Sequence, residues 1–539
     1  MSARQCLLPK LNIVSDLESR GYEADREWAI SCRKKQDAPD EVLAGLSEIC
    51  PTCGLKRPGI TKQFSKPVKE ILQPNLDVQY VNVYSASGKV DAKDSTKVRA
   101  YVMRHFHRNI QDSWDQAMSS DSQRAIQSGR ICVTTVWPGL RGSSYSVAYA
   151  REWLPIAARN PVFLHVLLFA ASAHLEALRG SGAYSDSKGK IRLEQLHQKG
   201  EAIRGIHDAL RDGKDRESDE LIQSILFLAI NETKEDEEPA DWSPFSPPFR
   251  SLQWLDIYGT QNYSMPHIVA VQDIIRKRGG IRNIHTIGLA WLISCSELIY
   301  CAATLSQPQH PLLDPFGQDI EFYPLATSSK PSAPKHHSDI TASGLSYLQI
   351  SGLCPEITDV FLKLRDYSEA IELYEGVSVL PEFMADNRNW VLHRLLSLPS
   401  ASVLLYQAYT LSEEFHRTML CYEACRLAAM MYCIHVVFPT PRSLHGRKML
   451  LPLMKEAIQR IDLLMASEEL AELVLWCVVI GGIAASGQDV RSWFLIQRNI
   501  LSTELRLTEW SEVKIVMRKF AWVDSACDPG GKALWNETV

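Results

Sequence analysis

The sequence predicts an all-α fold: a large multi-helix bundle of packed helical hairpins behind a poorly ordered N-terminal segment. Three observations carry that prediction. Alternation at the period of a strand nearly disappears after residue 130, apolar residues recur there at three- and four-residue spacing, and several of these segments open on residues suited to cap a helix. With 539 residues, 45% of them hydrophobic and 22% charged, the chain has the composition of a folded globular protein.

Residues 1–75 carry Gly and Pro punctuation (Pro51, Gly54, Pro58, Gly59) and no sustained period, so they are expected to be irregular. Residues 76–125 form a short linker, with a strand-like piece at Tyr80–Val83 and a basic amphipathic helix at Lys97–Arg108. The helical domain then occupies 126–539. Asn160-Pro161 opens its first clear core helix, because Asn can cap and Pro at the first helical position gives up no needed hydrogen bond. The next helix places Leu196, Ile203, Ile206 and Leu210 on one apolar stripe. Ser218 caps a third, with Asp219 and Glu220 at the positive end of its dipole and an apolar run from Leu221 to Ile230. An acidic, Pro-rich linker is expected near 233–250, and a second loop near 306–343 contains the pair His336-His337. Further on, Met454, Ile458, Ile461 and Met465 share a helical face, as do Trp510, Val513 and Met517. The longest apolar run, Leu473–Ala485, is shorter than the roughly 20 residues a bilayer needs, so it is expected to be a buried helix and no membrane partner is expected. No secretory signal follows Met1, so the chain is expected inside the cell with reduced thiols.

Charge and motifs narrow the chemistry. The balance of 58 basic and 63 acidic residues gives a net charge of −5, which excludes polyanion binding through bulk charge. No G-x-S-x-G elbow, H-E-x-x-H pair, Walker loop, G-x-G-x-x-G turn or D-D-x-x-D run occurs, so no catalytic residue, no cofactor and no enzyme activity are expected. Cys50 and Cys53, with Cys32 upstream, are the nearest approach to a metal site, but three scattered thiols fall short of a tetrahedral zinc site. Cys421, Cys425 and Cys433 are expected to be a core stripe rather than a thiol sensor. The helix Lys97–Arg108 offers Lys97, Arg99, Arg104 and Arg108 as candidate phosphate contacts, against the plainer reading of a solvated basic face.

The order of several segments resembles the fungal-specific transcription factor domain. Asn160-Pro-Val-Phe-Leu-His-Val-Leu-Leu-Phe-Ala-Ala-Ser-Ala-His-Leu175 is similar to that domain's first core helix, and His267–Gly280 is similar to a helix ending in Arg-Gly-Gly. In the last seventy residues Leu475–Ala485, Arg491-Ser-Trp-Phe494, Trp510-Ser-Glu-Val513 and Phe520–Asp528 before Leu534-Trp535 match best. The resemblance implies a nuclear transcription regulator acting through other transcription regulators or a homodimer partner, with a small-molecule effector as a further partner and a secondary-metabolite gene cluster as the target pathway. Many members carry a binuclear zinc cluster of six cysteines, whereas Cys32, Cys50 and Cys53 supply three here. Zinc is therefore expected only if such a cluster is missing from this chain, and direct DNA binding stays open. The alternatives are a non-DNA-binding interaction scaffold and an all-α enzyme of lipid or isoprenoid type.

Overall fold

The computed structural model describes residues 131–538, apart from 180–186, 214–215, 232–242, 262, 324–344, 346–347, 349–352, 376–380, 408–411, 442 and 463–466. All described residues belong to one compact unit, Gly88–Val539. The segment 1–75, Cys32, Cys50, Cys53, the linker 76–125 with Lys97, Arg99, Arg104 and Arg108, and the pair His336-His337 lie outside the described residues.

The architecture is all-α. Among the described residues there is no strand, only an isolated antiparallel bridge between Leu313 and Asp319. A π-helical turn, Cys132–Val136, runs into α1 (Trp137–Arg159), which kinks at Arg141 and Gly142. Then come α2 (Pro161–Arg179), α3 (Ser187–Asp212), α4 (Asp219–Ile230), the single turn α5 (Leu255–Tyr258), α6 (Met265–Lys277) and α7 (Leu289–Thr304). The second half contains α8 (Pro355–Tyr374), α9 (Pro381–Ser397), α10 (Ala401–Gln407), α11 (Glu413–Tyr432), α12 (Ser443–Gln459), α13 (Glu468–Ala484), α14 (Arg491–Glu504), α15 (Trp510–Met517) and α16 (Asp524–Asn536). α2 pairs with α3 and α4, α11 with α12 and α13, and α13 with α14 and α16. α9 touches α1, α7, α8 and α11, and thereby joins the two halves.

Local signals in the chain place the helix ends. Phe163 N donates to Asn160 Oδ1 at 3.2 Å, and Leu221 N donates to Ser218 Oγ at 3.2 Å, so both expected caps form. At the end of α6, Gly280 N donates to Ile275 O and Gly279 N to Arg276 O, while Gly279 takes a φ of +83° that a side chain resists. This pair of bonds is the Schellman closure that the Arg-Gly-Gly ending suggested. The run Leu473–Ala485 is wholly buried and forms most of α13. Val513 and Met517 of α15, and Met454 and Ile458 of α12, are likewise buried.

One expectation needs correction. Of the predicted stripe on α3, only Ile206 is buried; Leu196, Ile203 and Leu210 are 58%, 43% and 39% exposed. The seam against α2 is made instead by Gln195, Gln198, Ala202 and Ile206. Gln195 Nε2 donates to Glu176 Oε2 at 2.9 Å, and Gln198 Oε1 lies 2.6 Å from His165 Nδ1, so hydrogen bonding rather than apolarity selects that face. The described parts of the two expected loops pack onto the core. Phe245 is buried and stacks on His435 at 5.0 Å, and Leu312, Leu313 and Ile320 are buried too, so both loops dock on the core through their apolar residues. By length and composition two helical stretches could cross a membrane, Pro161–Leu178 and Glu413–Val437, but core helices pass the same test and the second is 83% buried within the protein.

Asp219 does more than favour a helix dipole. Its carboxylate accepts from His285 N at 2.8 Å and Thr286 N at 2.7 Å and pairs with Arg278, tying α4 to the loop before α7. Burial works against the charge, but these donors outweigh it and hold the carboxyl below its usual range. Asp219→Asn should therefore lower stability by about 1–3 kcal/mol at neutral pH. A group with a depressed folded pKa loses its contribution as pH falls through that pKa, so the deficit should shrink as pH falls below the ordinary carboxylate range, read in urea melts of both proteins.

Candidate functional site: an interhelical cavity with a polar corner

Between α1, α2, α4, α7 and α9 lies a cavity of about 830 Å³ of non-atom space, part of it open to solvent. One wall is aromatic: Trp137 and Trp153 meet edge to face at 5.4 Å and Phe227 lies 5.8 Å from Trp153, while Trp291 of α7 also lines the cavity. One π-helical turn borders it, and so does the residue that closes the other. Cys132 and Val136 belong to the first, and Phe438 ends the second, Cys433–Val437. Such turns, which bulge one residue out of register, recur at functional sites.

The opposite end is polar and comes from α9. Four consecutive residues, Asp386, Asn387, Arg388 and Asn389, are each at most 7% exposed. Arg388 donates through Nη1 to Leu252 O at 2.9 Å and through Nη2 to Gln253 Oε1 at 2.7 Å, and its guanidinium lies 4.6 Å from the Phe438 ring. Asn389 Nδ2 also donates to Gln253 Oε1, at 3.0 Å. Two donors on Oε1 fix the Gln253 amide and leave its Nε2 without a partner among the described residues. Trp291 Nε1 is likewise buried without an acceptor. Burial pushes the Arg388 pKa below its ordinary value, yet a guanidinium keeps its charge at any working pH.

The backbone here is strained. Gln253 and Trp254 both sit in the left-handed region, at φ 58° and 56°, which costs of order 1–3 kcal/mol for each non-glycine residue. The turn is over-determined: Trp254 Nε1 donates to Val136 O at 2.9 Å, and the indole covers Gly139, where an added Cβ would come within 2.4 Å of it. Glycine at 139 is thus what allows Trp254 to close against α1.

Asp386 belongs to a second buried pair, accepting from Arg141 through both carboxylate oxygens, Nη2 to Oδ2 at 2.7 Å. Burial favours the neutral guanidine, but the Asp386 carboxylate overcomes this and raises the Arg141 pKa. The thiols of Cys132 and Cys295 in the cavity wall are pushed up to about 12 by burial, so they stay protonated and unreactive. Cys421, Cys425 and Cys433 are all buried, with burial raising each thiol, which fits the core stripe and not the sensor. No group of three His, Cys, Asp or Glu side chains among the described residues could hold a metal ion.

None of the polar residues at this corner was singled out from the sequence. A signal existed: Asp386-Asn-Arg-Asn389 sits between Phe383-Met-Ala385 and Trp390-Val-Leu392. At 100° per residue, four polar residues in a row sweep most of a helix circumference, so a helix in a core must bury some of them.

With the geometry in place, comparison with known proteins gives the class. Residues 142–522 match the model of the fungal specific transcription factor domain, and the chain belongs to that family. No curated protein and no solved structure matches it.

The buried pair gives a direct test. Asp386→Ala leaves Arg141 buried without its counter-charge and should cost about 3–5 kcal/mol in guanidinium melts. The double replacement Arg141→Met with Asp386→Leu should recover most of that loss, because no uncompensated charge remains.

Proposed function

We propose that the chain is a nuclear transcription regulator whose helical domain takes a small-molecule effector in the interhelical cavity and acts through partner proteins, without a zinc cluster of its own. The observation that carries the effector reading is the cavity itself: aromatic walls, one polar corner and a strained turn between them. Membership of the transcription factor family supports the regulatory part and the nuclear location. The partner reading is supported by α3, where Leu193, Leu196, Ile203 and Leu210 form an exposed apolar row at coiled-coil spacing. Other regulators or a second copy of the chain are the partners proposed, and no catalytic role is assigned. The proposed target, as the family resemblance suggests, is a secondary-metabolite gene cluster.

Fusion of the chain to a heterologous DNA-binding module is expected to change transcription of a reporter several-fold. Unchanged transcription would favour a scaffold that has left gene regulation. Transcript profiling of a deletion strain is expected to show one contiguous set of biosynthetic genes altered; scattered changes would remove the pathway assignment.

A further inference from the structure

Resting on the effector reading above, we infer that the cavity's ligand is an apolar, ring-bearing molecule with one anionic oxygen group, a carboxylate or phenolate, seated at the corner formed by Arg388, Gln253 and Trp291. Three observations lead there. First, Arg388 is 2% exposed, and no carboxylate of the described residues lies within 4.0 Å of it. Asp386, its neighbour in sequence, is engaged through both oxygens by Arg141. The acceptors Arg388 does have, Leu252 O, Gln253 Oε1 and Asn389 Oδ1, are all neutral, so the corner carries a whole positive charge facing an apolar space.

Second, the unmet polar atoms there are donors. Gln253 Nε2 and Trp291 Nε1 border the cavity and have no acceptor among the described residues, and four N–H···O bonds leave one of the five guanidinium hydrogens of Arg388 free. Buried donors in native proteins are nearly always satisfied, and what satisfies these must accept. A carboxylate or phenolate accepts several hydrogen bonds and neutralises the charge at once, which a neutral carbonyl or hydroxyl does not. Third, the rest of the lining is apolar and flat. Trp137, Trp153 and Phe227 offer ring faces and edges to a planar body, and the Phe438 ring already stacks beneath the Arg388 guanidinium.

The test uses the full-length chain and two probes with the same body and different heads: 2-naphthoate and the neutral 2-naphthalenemethanol, titrated by quenching of tryptophan fluorescence and by calorimetry. Naphthoate is expected to bind at least tenfold more tightly. Gln253→Glu keeps the acceptor that Arg388 and Asn389 use but sets a negative charge at the corner; it should fold, and it should erase the preference for naphthoate. Trp291→Phe, which removes the N–H together with part of the ring, should weaken naphthoate three- to tenfold more than it weakens naphthalenemethanol. Equal binding of the two probes by the wild type, or a preference that survives Gln253→Glu, overturns the anionic assignment while leaving the effector reading standing. Binding of neither probe overturns both.

Discussion

The domain depends on burying four consecutive polar side chains in the middle of α9. Asp386, Asn387, Arg388 and Asn389 point in successive directions around the helix, so no single neighbour can serve them all. The chain supplies a different one for each. Arg141 of α1 takes Asp386; Asn387 donates to Tyr323 O at 2.7 Å and accepts from Tyr323 N at 2.8 Å; Leu252 and Gln253 take Arg388; and Asn389 reaches Gln253 and, at 3.7 Å, Cys295 of α7. Segments separated by as many as 245 residues meet here because each carries the group that another lacks. Burying such groups unpaired would cost several kcal/mol apiece, so the meeting is enforced.

Apolar packing alone does not enforce it. α4 and α13 are buried along nearly their whole length, and an all-round apolar helix can rotate or slide with little change in the area it hides. Directional bonds remove that freedom. The Tyr323–Asn387 exchange fixes the loop after α7 against α9, and the Arg141–Asp386 fork fixes α1 at its kink. The same logic operates on α3, where two glutamines rather than the available leucines define the seam with α2. In both places polar satisfaction selects one arrangement among several of similar apolar burial.

That division explains what could be read from the chain. Helix starts at Asn160 and Ser218, the glycine stop after α6 and the buried run of α13 were legible because each is local: a cap, a left-handed residue, an apolar stretch. The family was legible for a similar reason, since its best-matching segments are compact runs of aromatic and small residues near the end. The face of α3 was misread because the stripe rule weighs hydrophobicity, and Leu196, Ile203 and Leu210 outscore Gln195 and Gln198. The cavity was illegible because its lining comes from segments scattered between residues 132 and 438, and no periodicity within one helix encodes what another places opposite it. Gln253 shows this most clearly: nothing near it in sequence announces a left-handed residue held by an arginine 135 positions later.

The strained turn, the unmet donors and the α9 polar group are one structure, and this bears on how an effector could act at a distance. A ligand moves a conformational equilibrium only by as much as its affinity differs between the two states. Here that difference has a source. The unmet donors Gln253 Nε2 and Trp291 Nε1 lie on separate elements, the 252–254 turn and α7, so a bound acceptor that met them would favour the present spacing of those elements. Satisfying two buried donors is worth about 1–3 kcal/mol each, the same scale as typical allosteric couplings and enough to offset the strain of one left-handed residue. The turn is already held by Trp254 Nε1 on Val136 O and by Arg388 and Asn389 on Gln253 Oε1, so a bound acceptor would add to restraints that are present without it. α9 also contacts α1, α7, α8 and α11, so the Gln253 carboxamide is bonded to the helix that joins both halves of the domain.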